Sequence, residues 1–309
     1  MKCVREEVAG IGVDGQSAGA HVSPIGEWIR RLRLIPDERR RFHVDPRQAK
    51  LEFGIDMTLV QELIARGLPH TMSDGEPRFT ATDLHYIGLR LGCATTYLGV
   101  LQMWASSLKA SADGEWTTVE VRCAPNAPQN TAVEVLVSPG QRVRASIGAN
   151  RIAASIRAVP VRQWPAVSPS LEDLLLDVAS LDFCWLPESL SGDVEFTHQT
   201  RLSDCRNAAL LLSMRCARLG IVSRMAYGLL LATPFSTPHN WVEIRVGDCW
   251  VPVDPLLIGL LPQYTTLDAS VWPPIRSPGA VLLRLADRET PIVLADGRPL
   301  QSSFLTRML

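Results

Sequence analysis

The chain has 309 residues, a formal net charge of −1, 46% apolar residues and 20% charged ones, which leaves room for one large domain or two ordinary ones with a sizeable core. Near-neutrality gives no long-range pull toward nucleic acid or an anionic membrane, and no run approaches the roughly 20 apolar residues that span a bilayer. The seven cysteines (Cys3, Cys93, Cys123, Cys184, Cys205, Cys216 and Cys249) are odd in number, scattered and without a CxxC pair, so neither a disulfide framework nor a cysteine zinc site is expected.

Residues 1 to 23 are rich in Gly, Ala and Ser and carry little periodicity, which reads as a loose arm. They lack a charged-then-apolar signal pattern, so the expected location is cytoplasmic. Pro24 to Leu34 has helical spacing, with Ile25, Trp28, Ile29 and Leu32 on one side. Arg39-Arg40-Arg41 reads as a solvated charge run. Ile55 to Arg66 is a second helix, stopped by Gly67-Leu68-Pro69. After the Asp74-Gly75 turn, Thr80 or Thr82 caps a long helix expected to reach Leu108. Trp116 begins a different pattern. Thr117–Cys123, Thr131–Val137, Val143–Ile147 and Ile152–Val159 are short β-branched runs separated by Pro, Asn and Gly, the signature of a small antiparallel β unit. Gln163 to Ser170 reads as a linker, and Ser170 opens an apolar helix to about Leu181.

The chemistry concentrates between Ser203 and Pro255. Ser203 or Asp204 is a good helix cap, which places Cys205 in the first turn. There the positive end of the helix dipole favours the nucleophilic thiolate. Ala209, Leu212, Cys216 and Leu219, widened by Ala208 and Leu211, make one apolar stripe, and Gly220 is a common helix stop. A strand follows over Ile221–Leu231, then a loop over Ala232–Pro238. His239 starts the next strand, Gly247-Asp248 is a hairpin turn, and Trp250–Val253 returns to Asp254. Two strands and a turn separate His239 from Asp254, so the spacing places them side by side. A cysteine nucleophile needs such a base and such an orienting acid. Trp241 and Glu243 alternate with Val242, which suits structural or pocket-lining roles. Cys184, Cys216 and Cys249 read as core cysteines. His21, His43, His70, His85 and His198 lack metal-ligand spacing, and no metal or cofactor is expected.

Two resemblances follow. Short helix, Gly-Leu-Pro-His, Asp-Gly turn, Arg78-Phe79 and Asp83-Leu84, over residues 55–90, are similar to the winged-helix modules of excisionase-type proteins. Asp-Cys with its Ala/Leu-rich run and Leu-Gly-Ile, then His-x-Trp-x-Glu, then Trp-x-x-x-Asp-Pro resemble the core of the transglutaminase-like superfamily over about residues 195–257. Asn240 stands where that family usually has a small residue. This second resemblance implies an α+β fold: a papain-like core with an antiparallel sheet and a buried nucleophile helix. It implies a nucleophile at Cys205, a base at His239 and an orienting acid at Asp254. Gln199, six residues ahead of Cys205, resembles the oxyanion glutamine of papain-like peptidases; His198 and Trp185 are its rivals. Asn240, Trp241 and Trp185 are pocket-lining candidates.

The expected organisation is a helical region (1–112), the β unit (113–165) and the catalytic core (166–309). The expected activity is acyl transfer through a thioacyl-enzyme, forming amides in peptide or small-molecule biosynthesis. The donor would be a peptide, amide or thioester, free or carried on a protein, and the acceptor an amine or water. A cysteine peptidase or amidohydrolase is the first alternative. The second is a DNA- or leader-peptide-binding protein with a degenerate core.

Overall fold

The chain, described from a computed structural model over residues 24–93, 96–161 and 163–309, begins with a helical region. The arm expected over residues 1–23, with Cys3 and His21, lies outside the described residues. Helix α1 (Pro24–Leu32) buries Ile29 and Leu32. Helix α2 (Pro46–Phe53) is set by a reciprocal cap between Asp45 and Gln48 and ends at Gly54, whose φ is 68°. It is short and strongly polar, so periodicity alone does not reveal it. Helix α3 (Met57–Ala65) is capped by Asp56. A hairpin, β1 (Thr71–Ser73) and β2 (Glu76–Arg78), turns at Asp74 and Gly75, both with positive φ.

The single long helix expected from Thr80 to Leu108 is two helices. The first, α4 (Ala81–Arg90), is capped by Thr80 and is followed by Gly92 at φ 64°, which turns the chain before α5 (Thr96–Ala112). Arg40 also departs from expectation. Its side chain is buried, its Nε donates to Asp83 at 3.0 Å, and its other nitrogens reach Leu32 O, Ile35 O and Asp37. One residue of the basic run therefore ties α1 to α4. Asp182 ties the same region to the rest of the chain, accepting from Tyr86 at 2.5 Å, from Arg31 at 3.3 Å and from Arg90.

The β-rich part holds strands β3 (Val119–Pro125), β4 (Ala132–Ser138), β5 (Gln141–Ser146) and β6 (Ala154–Ala158). All pair antiparallel, as expected, yet they divide between two sheets. Strands β9 (Ser223–Leu230), β10 (Phe235–Val246), β11 (Cys249–Val253), β12 (Leu282–Ala286) and β15 (Ser302–Met308) join β3 and β6 in a seven-stranded sheet of order β12-β9-β10-β15-β3-β6, with β11 also on β10. Strands β13 (Val293–Ala295) and β14 (Arg298–Pro299) join β4 and β5 in a four-stranded sheet. Strand β10 starts at Phe235, inside the stretch read as a loop, because Phe235 and Ser236 pair with β15 and Thr237 onward with β9.

Helix α6 (Glu172–Ala179) and the parallel pair β7 (Asp182–Phe183) and β8 (Leu202–Ser203) flank a short helix, α7 (Val194–Thr200). Helix α8 (Cys205–Arg218) lies against the sheet, with Ala208, Ala209, Leu211, Leu212 and Cys216 buried. It closes at Gly220 (φ 69°), where Ile221 N reaches back to Cys216 O at 2.9 Å. Leu219, expected in the apolar stripe, is 63% exposed because it falls beyond the last helical turn. Helix α9 (Pro255–Tyr264) follows Asp254. The result is mixed helix and antiparallel sheet with a buried helix carrying Cys205, the α+β fold expected.

Candidate active site

Asp204 caps α8: its Oδ1 accepts from Asn207 N at 2.9 Å, so Cys205 is the first residue of a 14-residue helix. The first backbone N–H groups of a helix have no acceptor within it, and that of Cys205 points along the positive end of the dipole. Asn207, two positions on, is fully buried. Its Nδ2 donates to Leu190 O, Asp193 O and Thr197 Oγ1, each at 3.1 Å, and its Oδ1 accepts from Gly192 N at 2.7 Å. That one side chain pins the segment ahead of the helix to the helix itself. Its context, an Asn inside an Ala/Leu run, is the signal that sequence reading overlooks.

His239 comes from β10 and Asp254 from the end of β11, strands joined by the Gly247-Asp248 turn and paired from Val242↔Val253 to Val246↔Cys249. Both are buried, at 4% and 6% exposure. His239 Nε2 lies 2.5 Å from Asp254 Oδ2, and Asp254 Oδ1 accepts from Leu257 N at 3.0 Å, capping α9. Each carboxylate oxygen thus has its own partner. Cys205 lines the same cleft as this ring and is close enough for its charge to act on it; with Nε2 taken by Asp254, Nδ1 is the ring nitrogen left for a thiol. Burial opposes charge on His239, but the Cys205 and Asp254 negative charges overcome it and push the imidazole up to about 10. Trp241 stacks behind the ring at 6.4 Å and 17°, while Trp104 tilts against it at 6.2 Å.

These three side chains open into a cleft of about 510 Å³. Its far wall is aromatic. Tyr97 and Trp104 come from α5, Phe183 and Trp185 from the segment around β7, and Tyr227 from β9. Tyr97 and Trp185 rings are 3.4 Å apart between centroids, and His85 backs Tyr97 at 4.0 Å. Tyr97, Val100 and Trp104 recur at helical spacing, the one sequence signal that they share a face. Burial and the Cys205 charge raise the Tyr97 phenol, and Tyr227 is raised to about 12 by burial, Glu289 and Cys205. Neither hydroxyl has a hydrogen-bond partner among the described residues. Arg206 and Glu289 pair across the rim at 3.0 Å.

Other expectations fall differently. Gln199 is exposed on α7, where its Nε2 donates to Glu195 at 2.7 Å. His198 is exposed beside it, and neither lines the cleft. The residues ahead of Cys205 wind into a helix, which turns both side chains to solvent. Asn240 and Trp185 do line the cleft, whereas Trp241 is 1% exposed and sits beneath His239 instead. Glu243 is structural, gripped by Arg224 at 2.6 Å. Cys184 and Cys216 are buried core thiols, but Cys249, read as core, is exposed because it opens strand β11 beside the hairpin turn. Among the described residues no group of three or more His, Cys, Asp or Glu could hold a metal ion, and no helix is long and apolar enough to cross a membrane.

No curated protein matches the chain significantly. Residues 186–255 match the family model of the transglutaminase-like superfamily, a match that takes in Cys205, His239 and Asp254 alike. That stretch is thus similar to the core of the transglutaminase-like superfamily, whose general activity is cysteine-dependent acyl transfer or peptide hydrolysis.

Proposed function

We propose that this protein forms amide bonds by cysteine-dependent acyl transfer, acting on a peptide, amide or thioester donor in peptide or small-molecule biosynthesis. The supporting observation is the hydrogen-bonded pair His239–Asp254 in the same aromatic-walled cleft as Cys205, at the start of α8. In this reading Cys205 Sγ attacks the donor carbonyl carbon while His239 carries the proton on Nδ1. The C–S bond forms, and the oxyanion meets the Cys205 N–H and the Tyr97 hydroxyl, an uncharged donor on the cleft wall with no internal partner. Collapse breaks the bond to the leaving amine or thiol, which takes the proton from His239. An acceptor amine then attacks the thioacyl carbon, gives its proton to His239, and releases Cys205 as the new amide forms. Cys205 must be a free thiol for this, which suits a reducing compartment such as the cytoplasm.

Transfer is favoured over hydrolysis by the wall, since an apolar cleft disfavours water as the competing acceptor. The test is partitioning: with a thioester donor and rising amine, amide should form at the expense of acid, with ping-pong kinetics. Acid alone at every amine concentration would move the assignment to a peptidase or amidohydrolase. The helix–hairpin–helix arrangement of α3, β1, β2 and α4 keeps a DNA- or leader-peptide-binding role in view. Its exposed residues include Glu62, Asp74 and Glu76 beside Arg66, however, a surface with no basic excess for a phosphate backbone. A gel shift at physiological salt distinguishes the two.

A further inference from the structure

The cleft holds more than Cys205, His239 and Asp254 need. Its aromatic wall is assembled from parts of the chain far apart in sequence. Helix α5 presents Tyr97, Val100 and Trp104, and the segment around β7 presents Phe183 and Trp185. Tyr97, Val100 and Trp185 are only half-buried and face open volume. Side chains that merely fill a core are covered on all sides; these keep part of their surface open to the cleft.

The charged groups of the lining are already committed. Asp204 caps α8, Arg206 is paired with Glu289, and His239 is paired with Asp254. Among the described residues, then, no lining cation or anion is left to meet a charged acyl chain. Such a chain would lose its hydration on entry and gain no partner. An apolar chain would shed ordered water and cover the rings.

Resting on the acyl-transfer reading above, we infer that this wall is an acyl-group subsite. It selects donors whose acyl chain carries an uncharged apolar or aromatic group beside the reacting carbonyl. Helix α5, outside the stretch that matches the superfamily, is thereby a specificity element of the site.

The test isolates the first half-reaction, so that the acceptor plays no part. Wild-type protein is mixed with N-acetylcysteamine thioesters of 3-phenylpropionate, hexanoate, acetate and succinate, and the acyl adduct on Cys205 is followed by intact mass. The 3-phenylpropionyl and hexanoyl donors should acylate at least about tenfold faster than acetyl, and faster still than succinyl. Val100→Trp, which fills the cleft from α5, should shrink the 3-phenylpropionyl-to-acetyl ratio severalfold. Should that variant not fold, the wild-type donor series decides alone.

A second arm needs no turnover. Cys205→Ala is titrated with 3-phenylpropionamide and with succinamate, reading the tryptophan fluorescence. The apolar amide should bind with a Kd at least about tenfold lower. Equal acylation by succinyl and 3-phenylpropionyl thioesters, or equal binding of the two amides, overturns the inference. If no thioester acylates Cys205, the acyl-transfer reading fails, and the binding arm still decides whether the wall prefers apolar chains.

Discussion

Replacing Asp254 by Asn separates two jobs that the carboxylate performs at once. One oxygen accepts from Leu257 N and caps α9, and the other takes His239 Nε2 at 2.5 Å. Asn caps a helix about as well as Asp, so the variant should unfold within about 1 kcal/mol of wild type. Its single oxygen is then held by the cap, and its NH2 group faces His239. The imidazole must answer with a bare Nε2 and keep its proton on Nδ1, the nitrogen that takes the proton of Cys205 in the proposed reaction. A wrong tautomer of this kind lowers kcat by roughly 10⁴-fold elsewhere. Asp254→Ala loses both jobs. The missing cap costs about 1 kcal/mol, and a buried imidazole without its partner costs about 1–3 more, so roughly 2–4 kcal/mol should disappear from the unfolding free energy. Urea denaturation monitored by tryptophan fluorescence gives the stabilities, and mass detection of the amide product gives kcat. An Asn variant as unstable as the Ala variant, or one that keeps kcat within about tenfold of wild type, would refute this division of labour.

Four further outcomes follow from the same geometry. Iodoacetamide at pH 7 should label Cys205 before exposed Cys249, with Cys123, Cys184 and Cys216 last because burial raises all three; peptide mapping that finds Cys249 first counts against the assignment. Because His239 keeps its proton up to about 10, its positive charge stays beside Cys205 between about pH 7 and 9, and acid assistance to the leaving group fades only above about 10. Turnover should therefore lose this acid assistance only above about pH 10, and a kcat profile that already falls between about pH 7 and 9 would contradict the pairing. Tyr97→Phe should lower kcat about 10²–10³-fold with little change in alkylation, which builds no oxyanion, while Gln199→Ala should stay within about twofold; the reverse order would return the donor to Gln199. Arg40→Met leaves the buried Asp83 carboxylate unpaired and should cost about 3–5 kcal/mol; a loss below about 1 kcal/mol in thermal or urea unfolding would show that the pair is dispensable.

What the sequence reveals of this site is what lies close together along the chain. The cap at Asp204, the apolar run behind Cys205 and the hairpin that brings His239 to Asp254 are all local patterns, and each is legible because helix and hairpin geometry fix where such residues go. Gln199 shows the limit of spacing alone. Six residues ahead of Cys205 can be extended or coiled, and here they coil into α7, so the side chain turns away. The break between α4 and α5 hinges on Gly92 within an otherwise continuous helical pattern. Tyr97 and Trp104 reach the cleft only through tertiary packing, and no local rule connects them with a cysteine a hundred residues on.

The strand β15 carries a kinetic consequence. Arg307 of β15 bonds Glu120 of β3 across 187 residues of chain, and the same strand holds Phe235 and Ser236 at the start of β10. The helix of Cys205 and the hairpin of His239 can form from local contacts within microseconds, but the sheet that unites them waits for a closure whose entropy cost slows folding. Until residues 302–308 arrive, β3 and the first residues of β10 present unpaired backbone edges, open to association with other chains. During synthesis, then, the helix of Cys205 is in place before the sheet is sealed. The interval between the two is when the chain is most exposed to misassembly and to premature modification of its thiol.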